Sequence, residues 1–264
     1  MMIGKHLDAS AKLLLKRSNW TSLRAYLEWG LRHALTLKKF KDIHKGEDCF
    51  ILGNGPSLNN VDLDLLSEYY TFGLNKIYLL FDRSKFRPSY HVAVNPLVIE
   101  QSISEFERLA CPSFLSYRPS RNKFKGSDHL NYILTGGPLT FSESMIGRIC
   151  EGWTVTYVAM QIAYYMGFKN VFLIGVDHSF VTSGAPNEQQ LLQGNDVNHF
   201  DPNYFGNNEW HLPDLQGSEI AYNLAKFFYE RDDRHIYDAT IDGKLQVFPK
   251  LSFEESLAAC RKKG

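Results

Sequence analysis

The stretch that most constrains the fold lies at residues 154–177. Val171-Phe172-Leu173-Ile174-Gly175-Val176 is an unbroken apolar run that ends at Asp177. Before it, residues 154–166 contain neither proline nor glycine, and Val158, Ile162 and Met166 recur every four positions. That spacing predicts a helix with one apolar face, stopped at Gly167. A strand that is apolar throughout, rather than alternating, has to be covered on both faces, which is the condition of a parallel sheet sandwiched by helices. Asp48-Cys49-Phe50-Ile51-Leu52 reads as a second buried strand, and Tyr70–Leu74, Tyr90–Val94, Pro112–Leu115 and His235–Ala239 as further ones. The expectation is an α/β protein, a single Rossmann-like domain with a mainly parallel sheet.

Composition narrows the class of function. Apolar residues make up 44% of the 264 positions and charged residues 22%, enough to bury a core without staples. Cys49, Cys111, Cys150 and Cys260 are widely spaced and form no CxxC pair, which fits a reducing, cytoplasmic setting and no structural zinc. No apolar run is long enough to span a bilayer, and no secretion signal is read at the N-terminus.

Charge divides the chain near residue 46. Residues 1–46 carry ten Lys/Arg against three Asp/Glu, whereas the remainder carries 19 against 26. An acidic body argues against a general nucleic-acid binder. Residues 1–46 are expected to be a basic amphipathic helical extension, and 47–264 the nucleotide-binding domain. Within residues 5–43, Leu7, Leu14, Trp20, Leu23, Leu27, Leu31, Leu35 and Phe40 recur at helical spacings, with lysines and arginines between them. Two readings stand: a helix packed on the domain or on a second subunit, or one lying at the inner membrane face.

In open parallel sheets ligands bind beyond the carboxyl ends of the strands. Asn54, Asn75, Asn95 and Asp177 each follow a strand. The turn Gly53-Asn54-Gly55-Pro56-Ser57 is expected to offer free N–H groups and the Ser57 hydroxyl to a phosphate. It lacks the third glycine of the dinucleotide fingerprint and the GK[ST] of a P-loop. Asp62-Leu63-Asp64 matches a metal-binding DxD, but it stands where a helix begins, and capping accounts for it. Residues 178–215 are rich in Gly, Asn, Pro and Asp and read as an irregular lid over the site. The lid holds His199 and His211, candidate general bases because the ordinary imidazole pKa lies near neutrality. No histidine spacing matches a zinc signature, so no metal site is assigned. Thr135-Gly136-Gly137-Pro138 reads as a loop, and Ile241–Leu245 as a hairpin turn.

These residues resemble a known superfamily. Phe50-Ile51-Leu52-Gly53-Asn54-Gly55-Pro56-Ser57-Leu58, then Asn75, Asn95-Pro96, and Ile162 to Asp177 with Gly167 and Gly175, are similar to the bacterial sialyltransferases of glycosyltransferase family 42. The motility accessory factor proteins share the skeleton. So does the 6-hydroxymethylpterin diphosphokinase-like family, which Gly175–Phe180, Asn198-His199-Phe200 and Asp238–Pro249 resemble most.

The resemblance implies a sialyltransferase-like domain with a lid and a CMP-activated donor. By position, Asn54 and Ser57 would meet the phosphate and ribose side, and Asn75 and Asn95 would line the donor pocket. Thr154 or Thr156 would stand near the family's serine contact, and Gly175 and Asp177 would hold ribose and base. The family's Gly-His-Ser lid tripeptide is absent, which leaves His199 and His211 both open as base. The implied activity is inverting transfer of a sialic- or nonulosonic-acid-like sugar to a glycan or lipid-linked glycan acceptor, with no cofactor required. The alternative is an ATP- and Mg²⁺-dependent diphosphokinase acting on 6-hydroxymethylpterin, with Asp177 as metal ligand.

Overall fold

The structure, a computed structural model, describes residues 24–263. Expectations placed on residues 1–23, including the first half of the basic helix, lie outside these. Among the described residues ten strands form: β1 (Asp48–Leu52), β2 (Tyr70–Leu74), β3 (Tyr90–Ala93), β4 (Ser113–Ser116), β5 (Leu130–Thr135), β6 (Arg148–Ile149), β7 (Asn170–Ile174), β8 (Gln189–Leu191), β9 (Glu209–His211) and β10 (His235–Asp238). Eight of them make one sheet in the order β10-β7-β1-β2-β3-β4-β5-β6, and every pairing in it is parallel. β8 and β9 form a separate antiparallel ribbon.

Side-chain alternation sends successive residues of the central strands into two different cores. From β1, Cys49 and Ile51 enter one core with the Val155–Met166 helix, while Phe50 and Leu52 enter the other with Leu58, Leu66 and Phe106. β7 divides in the same way, Val171 and Leu173 against Phe172 and Ile174. That two-sided burial is why neither strand tolerates polar alternation. The Val155–Met166 helix is buried from Thr156 onward and ends at Gly167, whose φ of +93° closes it in the left-handed form. Gln161, polar in mid-helix and wholly buried, is satisfied by donating to Cys150 O and Tyr157 O and by accepting from Ser142 N.

Four expectations are corrected or extended. β5 and β6 carry no apolar run in the sequence, because Asn131 interrupts the first and the second is two residues long. Residues 241–245 form no hairpin. The chain turns there, Lys244 N bonds Asp177 O, and Lys250 returns beside Asp238 as an isolated parallel bridge. The DxD motif caps: the Asp62 carboxylate accepts from Asp64 N and opens the short helix at Leu63–Glu68. In the described part of the N-terminal helix, Ala25, Trp29, Leu37 and Phe40 are buried and Leu27, Leu31 and Leu35 face solvent. The helix winds through a π-turn at Gly30–Ala34, and Trp29 donates its indole N–H to Tyr132 O, which turns a different face inward.

His91 on β3 ties this core to the strand ends. It is fully buried; Nε2 bonds Asn75 O at 2.8 Å and Nδ1 bonds Ser113 Oγ at 2.5 Å. Burial depresses its pKa to about 4, so the folded state holds it neutral. Its contribution to stability is complete above the ordinary histidine pKa of about 6.5 and is lost as pH falls toward 4. Chemical denaturation between pH 7 and 4 should show a loss on the order of 3 kcal/mol from this group. His91→Gln should be less stable at neutral pH yet show a flatter decline across that window.

Candidate functional site: a cleft at the crossover of β1 and β7

The chain runs from β1 outward through β2 to β6, then crosses back to place β7 on the other side of β1. The carboxyl ends of β1 and β7 therefore part at a topological switch point, where a crevice opens. Here the two turns lock together. Gly53 N bonds Ile174 O at 2.8 Å and Gly55 N bonds Gly175 O at 2.9 Å. Ser57 donates its backbone N–H to Asp177 Oδ1 at 3.0 Å and its hydroxyl to Oδ2 at 2.6 Å. Burial pushes the Asp177 carboxyl above its ordinary pKa, against the pull of the Ser57 bonds.

This geometry corrects the expected phosphate cradle. The N–H groups of Gly53, Gly55 and Ser57 and the Ser57 hydroxyl bond to the β7 turn instead of standing free. The glycines serve the contact between turns: a Cβ on Gly53 would lie 2.2 Å from Gly175 O, and one on Gly55 would lie 1.8 Å from Asp177 Oδ2. Asn54 keeps a place in the crevice, and its Oδ1 is buried without a partner. Asn75, held at φ +50° after β2, likewise presents a buried Oδ1 with no partner.

Two helix N-termini meet the crevice. Thr154 caps the Val155–Met166 helix by accepting from Thr156 N, and Asp214 caps the Leu215–Arg231 helix by accepting from Gly217 N. Thr154, Val155 and Thr156 line the space, so the positive end of the first helix faces it. The dipole of this helix end faces the crevice, whereas the N–H groups of Gly53, Gly55 and Ser57 are already taken.

The segment between β7 and the Leu215–Arg231 helix lies over the strand ends, and the β8–β9 ribbon is its regular part. Phe200 N bonds Asn54 O, Asn59 donates to Phe200 O, and Lys76 Nζ bonds Tyr204 O at 2.7 Å. Burial lowers the Lys76 pKa to about 8. Tyr204 stacks on His199 with centroids 4.1 Å apart and planes 6° apart. His199 Nδ1 is 2.8 Å from Oδ2 of buried Asp196. His211 Nδ1 is 3.3 Å from the Asn95 amide nitrogen, while Asn95 Oδ1 caps the Pro96–Gln101 helix.

The tautomers implied by these contacts differ. A carboxylate only accepts, so a neutral His199 carries its proton on Nδ1 and leaves a lone pair on Nε2. An amide NH₂ donates, so His211 accepts on Nδ1 and carries its proton on Nε2. In these states His199 can take a proton and His211 can give a hydrogen bond.

The cleft has two adjoining chambers. The smaller, about 150 Å³, lies at the switch point and is lined by Gly53, Asn54, Gly55, Thr156, Gly175 and Asp177 among others. The larger, about 620 Å³, is lined by Asn95, Gly136, Gly137, Glu151, Trp210 and His211 among others. Asn75, Trp153, Thr154, Phe180 and His199 border both. The structure therefore gathers eleven of the twelve candidate site residues around one cleft. Ser57 sits behind it, bonded to Asp177. Reading by motif missed Asp196, Lys76, Trp153 and Phe180. Asp196, three residues before His199, was the one with a legible signal.

The family described as 6-hydroxymethylpterin diphosphokinase MptE-like matches residues 30–183. The chain belongs to this MptE-like family. The match takes in β1 to β7 and ends before His199 and His211. No curated protein matches this MptE-like chain significantly. Among solved structures it is similar to the MAf glycosyltransferase from Magnetospirillum magneticum AMB-1. That match has a TM-score of 0.51 and 15% identity, and covers 88% of this chain and 39% of the other. The likeness is one of fold, and this chain spans well under half of that protein.

The locked turns make a direct prediction. Gly55→Ala should displace Asp177 and destabilise the protein by about 2–3 kcal/mol, seen as a lower melting temperature. Gly147→Ala, where a Cβ meets nothing within 4 Å, should leave melting nearly unchanged.

Proposed function

We propose that this chain is a glycosyltransferase, inverting, that moves a sialic- or nonulosonic-acid-like sugar from a CMP-type donor to a glycan or lipid-linked glycan. The carrying observation is His199, which borders both chambers while its Nδ1 is paired to buried Asp196. The acceptor hydroxyl gives its proton to His199 Nε2 as its oxygen attacks the anomeric carbon. The bond from that carbon to the donor phosphate breaks, and its electron pair leaves with CMP. The phosphate sits at the N-terminus of the Val155–Met166 helix, where the Val155 N–H and the helix dipole oppose its charge. The His211 Nε2–H donates to the sugar or acceptor. Fold likeness to a glycosyltransferase supports this reading without naming donor or acceptor.

The family's description favours pyrophosphoryl transfer as a second reading. A triphosphate calls for cations and Mg²⁺ around it. Among the described residues, no lysine or arginine lines either chamber. Nor do three His, Cys, Asp or Glu side chains converge as a metal site. Asp177, the ligand that reading needs, already accepts from Ser57 on both oxygens. The described residues therefore fit Mg²⁺ poorly, and the donor set suits a single phosphate better. Among these residues no helix is long and apolar enough to cross a membrane. We place the enzyme in the cytoplasm, with peripheral contact to lipid-linked acceptor through its basic N-terminal extension.

The test is CMP release from CMP-sialic acid together with thermal shift by CMP, and by ATP with Mg²⁺. His199→Ala should lower kcat by about 10² or more while CMP still raises the melting temperature. His211→Ala should lose about tenfold, in line with one hydrogen bond to a reacting group. Turnover that survives His199→Ala removes the assigned base. Stabilisation by ATP with Mg²⁺ and none by CMP favours the diphosphokinase.

A further inference from the structure

Trp153 is the most strained large side chain bordering the cleft. Its φ is +61°, a left-handed conformation rare for a bulky residue, and it follows Gly152 at φ +53°. The two precede Thr154, the cap of the Val155–Met166 helix. Glu151, one residue earlier, is anchored by the Thr135 hydroxyl at 2.5 Å. Nothing in this turn makes a tryptophan necessary, since a glycine or asparagine would hold it with less strain.

The strain places the indole where an ordinary turn would not. Trp153 borders both chambers and keeps 46% of its surface exposed. Its ring rests on Gly217 in the first turn of the Leu215–Arg231 helix, where an added Cβ would lie 2.6 Å from the indole. Backbone strain that survives at a cleft is commonly part of the binding machinery. A half-exposed indole that lines the same chamber as Asn54 and Asn75, whose Oδ1 atoms are buried without donors, matches how proteins hold a heteroaromatic ring: one face stacked, edge N–H groups bonded to amides.

We propose that Trp153 is a stacking platform for a planar heteroaromatic ring, the nucleobase of the donor or a pterin. This rests on the cleft being the binding site and sharpens which part of the ligand it recognises. The ring lies on the indole, and Asn54 and Asn75 accept from its amine or ring N–H. The phosphate then falls toward Thr154–Thr156.

The full chain is titrated by calorimetry and tryptophan fluorescence with CMP, ribose 5-phosphate and 6-hydroxymethylpterin. CMP or the pterin should bind about tenfold to a hundredfold more weakly to Trp153→Ala. Gly217→Ala should weaken ring binding through the displaced indole, and Trp153→Phe should restore most of it. Ribose 5-phosphate, which has no ring to stack, should be insensitive to Trp153→Ala. Trp153→Asn suits the left-handed backbone and should keep the wild-type melting temperature while losing ring affinity. Wild-type binding of CMP with equal binding by Trp153→Ala overturns this inference and leaves the proposed function standing. Pterin binding without CMP binding supports the platform and overturns the CMP donor. Equal losses for CMP and ribose 5-phosphate, or a wild type that binds no ring, overturn the platform.

Discussion

The rest of the site depends on the contact between two turns, one after β1 and one after β7. The strands are parallel neighbours in sheet order but far apart in sequence, and the crossover between them creates the crevice. Left alone, the two loops would splay. Two backbone hydrogen bonds and the Ser57–Asp177 pair hold them together instead. The Thr240 hydroxyl accepts from Val176 N, and Lys244 N bonds Asp177 O, so the C-terminal turn braces the same point from behind. The glycines follow from this closeness. Position 175 takes glycine because its φ is +67° and a Cβ there would strike Leu58, and positions 53 and 55 because theirs would strike the other turn.

This explains what was legible in the sequence. The fold was legible because β1 and β7 are buried on both faces, and two-sided burial writes itself as unbroken apolar runs. The polar residues at strand ends were legible for a topological reason: whatever follows a parallel strand lands at the same edge. The role of the glycine turn was not. A pattern such as Gly-Asn-Gly-Pro-Ser reports that backbone must approach something closely, but not whether that is a phosphate or another strand's turn. Only the position of Asp177, more than a hundred residues away, decides it.

The choice between His199 and His211 was illegible for a related reason. Both are histidines in an irregular segment, and residue type alone assigns them the same chemistry. Their ring partners separate them. A carboxylate beside Nδ1 leaves Nε2 basic, and an amide NH₂ beside Nδ1 leaves it a donor. Asp196 lies within the same loop as His199, whereas Asn95 comes from the end of β3, so one pairing is local and the other is made by the fold.

Rigidity and reach are divided between the two sides of the cleft. The floor is strand ends, locked turns and capped helices, held by bonds within the sheet domain. The cover is held by side-chain and loop contacts, among them Phe200 on Asn54, Tyr204 on Lys76, His211 on Asn95 and Gln101 on Glu209 O. Each of these joins a cover residue to a loop that also carries, or directly follows, a cleft asparagine or its helix. A ligand that satisfies Asn54 and Asn75 therefore acts on the loops that hold the cover, and the cover carries His199. Under the proposed function, donor binding and placement of the base share that attachment. Tyr204 is the link, since its carbonyl receives Lys76 while its ring stacks on the imidazole. Lys76 itself borders neither chamber, yet it reaches His199 through Tyr204.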